Sequence, residues 1–111
     1  INIIPAKKEN EQIKFYEEEF KEKVQLGECG EDLFIGIRPE FVKVANDGKY
    51  EINVEMVEYI GRDKTILFRF KGQTNTCKAI IPSEINVEPG DVLRVNFSRF
   101  FVFDAEGNRL V

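Results

Sequence analysis

The feature that most constrains this fold is an alternation of apolar and polar residues with a period of two. From Tyr50 to Met56, an apolar side chain stands at every second position, with Glu or Asn between. Successive side chains of a strand point to opposite faces, so this segment predicts a strand with one buried face. At Met56-Val57 the phase slips, and Val57 and Tyr59 carry the apolar side from there. Such a slip predicts a β-bulge, which helps to curl a sheet into a barrel.

Further short runs of this kind follow, separated by residues that favour turns. Asn-Asp-Gly-Lys at 46–49 predicts a hairpin, and the segment 82–90 has room for one short helical turn. Gly36, Gly61 and Gly90 are the expected structural glycines, placed in turns. The pattern predicts an all-β domain, an OB-like small β-barrel with additional strands and at most one short helix. The predicted strands start at 33 and include 65–70, 76–81, 92–97, 100–103 and 109–111.

Residues 11–26 fit two structures. Ile13 and Phe15 alternate as in a strand, whereas Tyr16, Phe20 and Val24 fall on one face of a helix. The pattern leaves both open, and strands are preferred because the rest of the domain offers sheet edges to extend. Residues 1–32 are therefore expected to be accessory strands or a helix of one domain covering 1–111.

Composition limits the possible chemistry. The chain has no histidine, which excludes Ser-His-Asp and Cys-His nucleophilic sites, and its two cysteines cannot complete a zinc site. Cys29 and Cys77 are expected to be reduced thiols. The net charge of −4 disfavours nucleic acid, although basic aromatic stretches occur at 68–71 and 99–103. The sequence contains no GxxxxGK[ST] motif and no apolar run long enough to cross a membrane.

The densest local signal is Ile-Gly-Ile-Arg-Pro-Glu at 35–40. Pro39 forces Arg38 out of helical geometry and ends ladder pairing, so Arg38 and Glu40 are expected at the lip of a strand. Their simplest role is a local ion pair. With Phe41 as an apolar neighbour, the same corner is also the candidate interface.

Five segments carry an ordered signal along the chain: IGIRPEFV at 35–42, VEYIG at 57–61, AIIP at 79–82, VEPGDV at 87–92 and FDAEGNRL at 103–110. In this order they resemble motifs of the C-terminal regulatory (TOBE, OB-like) domain of ABC importer ATP-binding subunits of the maltose and glycerol-phosphate transporter type. Where the family commonly has histidine after "RPE", this chain has Phe41. The Asn-Ile-Ile-Pro step at 2–5 is similar to the one that follows the ATPase domain in that family, so the chain is expected to be a fragment of a longer one.

The resemblance implies a regulatory and dimerisation domain for the uptake of a sugar or related solute. It implies no catalysis and no cofactor in this chain, because ATP and Mg²⁺ would bind the ATPase domain that it lacks. The implied partners are a second copy of the subunit, membrane-spanning permease subunits, and a regulatory protein or small molecule. The implied location is the cytoplasmic side of the cell membrane.

Two other classes stay open. One is a free-standing OB-type module for an oligonucleotide or oxyanion, which requires a basic aromatic face. The other is a small hydrolase with a carboxylate pair such as Glu55 and Glu58, both expected to face solvent.

Overall fold

A computed structural model describes every residue from Ile1 to Val111. The chain folds into two antiparallel sheets of five strands each, which confirms the all-β prediction. Sheet 1 has the strand order β10-β4-β1-β2-β3, and sheet 2 has the order β5-β9-β6-β7-β8. The strands are β1 (Asn2–Glu9), β2 (Gln12–Phe15), β3 (Glu18–Phe20), β4 (Asp32–Ile37), β5 (Val42–Val44), β6 (Tyr50–Ile60), β7 (Asp63–Phe70), β8 (Cys77–Pro82), β9 (Val92–Phe97) and β10 (Phe101–Asp104).

The sheets do not close into the expected barrel. Sheet 2 curls until its edge strands β5 and β8 come close, with the 3-10 helix Pro39–Phe41 packed against β8. No hydrogen-bonded ladder joins the two edges, so sheet 2 stays open. The predicted bulge in β6 is present, but its register shift lies between Val54 and Met56, before the predicted position. Tyr59, expected on the buried side after the slip, is 71% exposed. No helix in the structure has the length and hydrophobicity needed to span a lipid bilayer.

The ambiguous segment 11–26 contains β2 and β3, so the preference for strands is confirmed there. Tyr16 lies in the turn between them with a φ of 53°, which ends any helix through this region. Ile13 and Phe15 are buried, as their alternation predicted. The helical face drawn from Tyr16, Phe20 and Val24 does not exist, because tertiary pairing with β1 decides the local structure.

The connection predicted at 46–49 is wrong. Residues 46–49 do not form a hairpin, because β9 lies between β5 and β6. Gly48 instead allows close approach: a Cβ there would lie 2.5 Å from the backbone nitrogen of Val95. The segment 82–90 forms turns without a helix. The expected strand at 109–111 is reduced to one bridge between Phe103 and Arg109.

Both sheets contribute to one hydrophobic core of 22 buried residues. An aromatic group at one end joins the sheets: Phe15 of sheet 1 lies 5.0 Å from Phe70 and 5.9 Å from Tyr50 of sheet 2, between ring centroids. Asn2 ties the sheets together by hydrogen bonds. Its Nδ2 donates to the carbonyl oxygen of Lys78 at 2.8 Å, and its Oδ1 accepts from the Lys78 N–H at 2.7 Å. The side chain thus continues sheet pairing along the edge of β8.

Candidate interaction site

The corner formed by Arg38, Pro39, Glu40 and Phe41 joins β4 of sheet 1 to β5 of sheet 2. Arg38 is extended, with φ −70° and ψ 146°, as expected for a residue before proline. Pro39 opens a single 3-10 turn, which the Phe41 N–H closes by donating to the carbonyl oxygen of Arg38 at 2.9 Å. The geometry predicted for this corner is therefore present.

The ion pair expected at the corner is absent. Arg38 and Glu40 are exposed, and neither lies within 4.0 Å of an oppositely charged group. Phe41 is half-buried and packs against the core, and its carbonyl oxygen accepts from the Ser98 N–H at 2.9 Å. The corner thus offers two free charges, while only part of the Phe41 ring is available to a partner.

The three glycines singled out from the sequence differ in position. Gly61 and Gly90 lie in turns with φ of 61° and 95°, where glycine avoids the strain of other residues. Gly36 lies inside β4 and not in a turn, because β4 continues through it to Ile37. A Cβ on Gly36 would lie 2.8 Å from Cε2 of Phe103. Its role is to make room for neighbouring side chains.

The carboxylate pair proposed for a hydrolase does not form. Glu55 Oε1 lies 3.1 Å from Nε of Arg69, whereas Glu58 is exposed and has no ionic partner. Neither residue lines a cavity. Paired carboxylates for acid–base chemistry need a shared site, and these two have none.

The two basic aromatic stretches also behave differently. Phe68 and Phe70 are buried, so the stretch at 68–71 offers no stacking platform. Phe101 and Phe103 are half-buried on the outer face of sheet 1, where the guanidinium of Arg99 lies 5.7 Å from the ring centroid of Phe101. One basic aromatic surface is therefore present, although it lies on a chain with net charge −4.

The sequence did not predict the burial of two polar side chains, Lys64 and Gln73. Lys64 is only 4% exposed, and its Nζ donates to the carbonyl oxygen of Ile85. Gln73 donates from Nε2 to Sγ of Cys77 at 3.3 Å. Burial raises the pKa of the Cys77 thiol, which keeps it protonated and poorly nucleophilic. Cys29 and Cys77 are both free thiols, in agreement with prediction.

Sequence comparison with known proteins gives a relative of this chain. No family model matches the chain. The sn-glycerol-3-phosphate import ATP-binding protein UgpC of Ruegeria sp. (strain TM1040) is 24% identical over 87 residues, which cover 77% of this chain and 25% of the relative. The chain thus spans about a quarter of the length of this relative. This weak similarity supports the general class to which the sequence motifs point, the ATP-binding subunits of importers.

Proposed function

We propose that this chain is the regulatory and dimerisation domain of the ATP-binding subunit of an ABC solute importer that takes up a sugar or related carbohydrate. The observation that carries the proposal is similarity to an import ATP-binding protein over 77% of this chain, together with the ordered family motifs. The all-β fold with two open sheets is compatible with a small TOBE-type domain.

In this proposal the chain has no catalytic role. ATP and Mg²⁺ bind a separate ATPase domain, and the β domain holds two subunits together while the ATPase domains open and close. Tethering raises the effective concentration of the second half, so the ATP-bound pair re-forms without a new diffusive encounter. Permease subunits of the membrane are the further partners, reached from the cytoplasmic side. A regulatory protein or small molecule that prefers one arrangement would shift that equilibrium.

The gene region that precedes the codon of Ile1 tests the proposal directly. We expect an in-frame reading frame with a GxxxxGK[ST] motif, since the phosphates of ATP need such a loop. Calorimetric titration of the chain itself with Mg-ATP should give no saturable heat. A stop codon shortly upstream, or micromolar ATP binding by this chain, would contradict the assignment.

A free-standing OB-type module for an oligonucleotide or oxyanion is the alternative, and the exposed Arg99–Phe101 contact favours it. Fluorescence anisotropy with a labelled single-stranded oligonucleotide separates the two functions. Saturable binding that weakens steeply with salt would support the alternative.

A further inference from the structure

The outer face of sheet 1 carries two apolar rows that cross the strands β1, β4 and β10. The registers place Ile3, Gly36 and Phe101 side by side in one row and Pro5, Phe34 and Phe103 in the next. Ile3 is 50% exposed, so the face is open to solvent. Contiguous exposed apolar residues of this kind mark interaction surfaces on soluble domains.

Gly36 shapes the centre of these rows. A Cβ at this position would lie 2.8 Å from Cε2 of Phe103, 3.1 Å from Cδ1 of Ile1 and 3.6 Å from Cδ1 of Ile3. The three side chains therefore converge above the glycine from both neighbouring strands. The absence of a side chain at Gly36 lets them form a continuous layer.

One end of this face is cationic. The guanidinium groups of Arg99 and Arg109 lie 5.7 Å and 4.6 Å from the ring centroid of Phe101, and Arg38 follows directly after β4. None of the three arginines has a carboxylate within 4.0 Å. Arg109 Nε donates to the carbonyl oxygen of Val111 at 3.3 Å. Guanidinium groups beside an aromatic ring are common at the centres of protein interfaces.

The opposite end carries more acids than bases, with Lys7 and Lys14 lining the groove beside Asp32 and Phe34. A cavity of about 210 Å³ lies there, beside the start of β4 and the end of β10. Only Asp32 of its five acids forms an ion pair, with Lys7 at 3.9 Å. A six-residue strand such as β4 separates the two ends by about 20 Å. The five acids that line the cavity are Glu28, Glu31, Asp32, Asp104 and Glu106.

We infer that two copies of this chain pair through the outer face of sheet 1, a surface assignment that rests on the proposed function. A two-fold axis that lies in the plane of the interface, parallel to the apolar rows and midway between them, lays the apolar rows of one copy on those of its twin. The same rotation brings the arginines of each copy to the acids of the other, as an isologous interface requires. The apolar rows supply the affinity, and the charges fix the orientation and exclude other arrangements.

The charge distribution favours a second copy over an unrelated acidic segment. An acidic peptide would match Arg99 and Arg109 but would meet repulsion from Glu31 and Glu106 at the other end of the face. Only a partner with both charges in reverse order matches the whole face. A second copy turned through 180° is such a partner.

A charge-swap experiment tests this surface. One variant combines Arg99→Glu with Arg109→Glu, and the other combines Glu31→Lys with Glu106→Lys, all at partly or fully exposed positions. Sedimentation over a wide concentration range should show a parent dimer and roughly tenfold or greater weakening for each variant alone. An equal mixture of the two variants should recover a heterodimer with affinity near that of the parent. Arg62→Glu, in the exposed turn after β6, is the control and should leave pairing unchanged.

The outcomes separate the surface from the function. A parent dimer that ignores both double variants overturns the surface and leaves the importer assignment to the upstream gene sequence. A parent that stays monomeric at millimolar concentration overturns this pairing even where a P-loop is encoded upstream. Weakening by both variants without recovery in the mixture also contradicts the proposed arrangement, provided that circular dichroism shows both to be folded.

Discussion

The interior of the domain contains two buried polar side chains, Tyr50 and Lys64, whose hydrogen-bonding capacity is satisfied to different degrees. At the aromatic end, the Tyr50 hydroxyl donates to Oε2 of Glu22 at 2.7 Å and accepts from the Lys21 N–H at 2.8 Å. At the other end, the Lys64 ammonium donates to one carbonyl oxygen and lies 5.1 Å from the ring centroid of Tyr59. Tyr50 is 0% exposed and Lys64 is 4% exposed, so neither relies on bulk water.

Because of this difference, we expect the Tyr50 hydroxyl to stabilise the fold and the Lys64 ammonium to contribute little net stability. A fully paired hydroxyl adds net stability, whereas a buried charge without a carboxylate costs desolvation that a single carbonyl only partly offsets. Tyr50 also stacks on Phe97, with centroids 4.3 Å apart, and so belongs to the aromatic group. We therefore expect substitutions at the aromatic end to cost more than those near Lys64.

The largest effect should come from Phe15→Ala. Phe15 is 1% exposed and lies within 6.3 Å of the ring centroids of Phe20, Tyr50 and Phe70. Truncation leaves a cavity where the two sheets contact each other. We therefore expect a loss of about 3–5 kcal/mol in the free energy of unfolding. Urea denaturation measures it, with Ile60→Ala, at a 61% exposed site, as the control within about 0.5 kcal/mol. A loss below about 1 kcal/mol would show that the aromatic end does not join the sheets.

Tyr50→Phe should have the next largest effect. The ring and its packing remain, but the Lys21 N–H and the Glu22 carboxylate lose their partner, and we expect a loss of about 1–2 kcal/mol. Urea denaturation near neutral pH is again the measurement. The double variant Tyr50→Phe with Glu22→Gln reports coupling, because the second substitution should cost less once the hydroxyl is absent. Additive losses would contradict the hydrogen bond as the source of the effect.

The pH dependence of stability tests the same hydroxyl. Burial, followed by the hydrogen bond to Glu22, raises the pKa of Tyr50 well above its usual value near 10. Above pH 10 the unfolded chain releases this proton while the folded chain keeps it, so the stabilising contribution is present below pH 10 and falls as pH rises. The difference in unfolding free energy between parent and Tyr50→Phe should shrink by about 1.4 kcal/mol per pH unit above 10. A difference that stays constant up to pH 11 would contradict a protonated, buried hydroxyl.

These regions also differ in how far the sequence predicts them. The period-two alternation of β6 and β7 predicts which residues are buried at the aromatic end, because every inward-facing position at that end is apolar. The same phase places Lys64 inward, in register with Ile66 and Phe68. The sequence gives no reason to expect Lys64 to be buried, since lysine is rarely buried without a partner. The carbonyl of Ile85 comes from a loop whose position no local pattern specifies.

Strand order and the interaction face depend on contacts distant in sequence. The turn residues at 46–49 predict a hairpin from local chemistry, but β9 enters between β5 and β6 from almost fifty residues away. The extended geometry of Arg38 follows from Pro39 alone and was predictable. The alignment of Ile3 with Gly36 and Phe101 was not, because it requires the registers of three strands.

The smallest effect should come from Lys64→Met, which keeps most of the side-chain volume and removes the buried charge. The variant loses the hydrogen bond to Ile85 and the contact with the Tyr59 ring, and it also removes the desolvation of an ammonium group without a carboxylate partner. These contributions oppose one another, so we expect a change within about 1 kcal/mol of either sign. Lys43→Met, at an exposed position of β5, controls for the general loss of one positive charge. Urea denaturation of the three proteins at neutral pH measures the difference. A loss above about 2 kcal/mol for Lys64→Met alone would show that Lys64 stabilises its end of the interior as strongly as Tyr50 does the other.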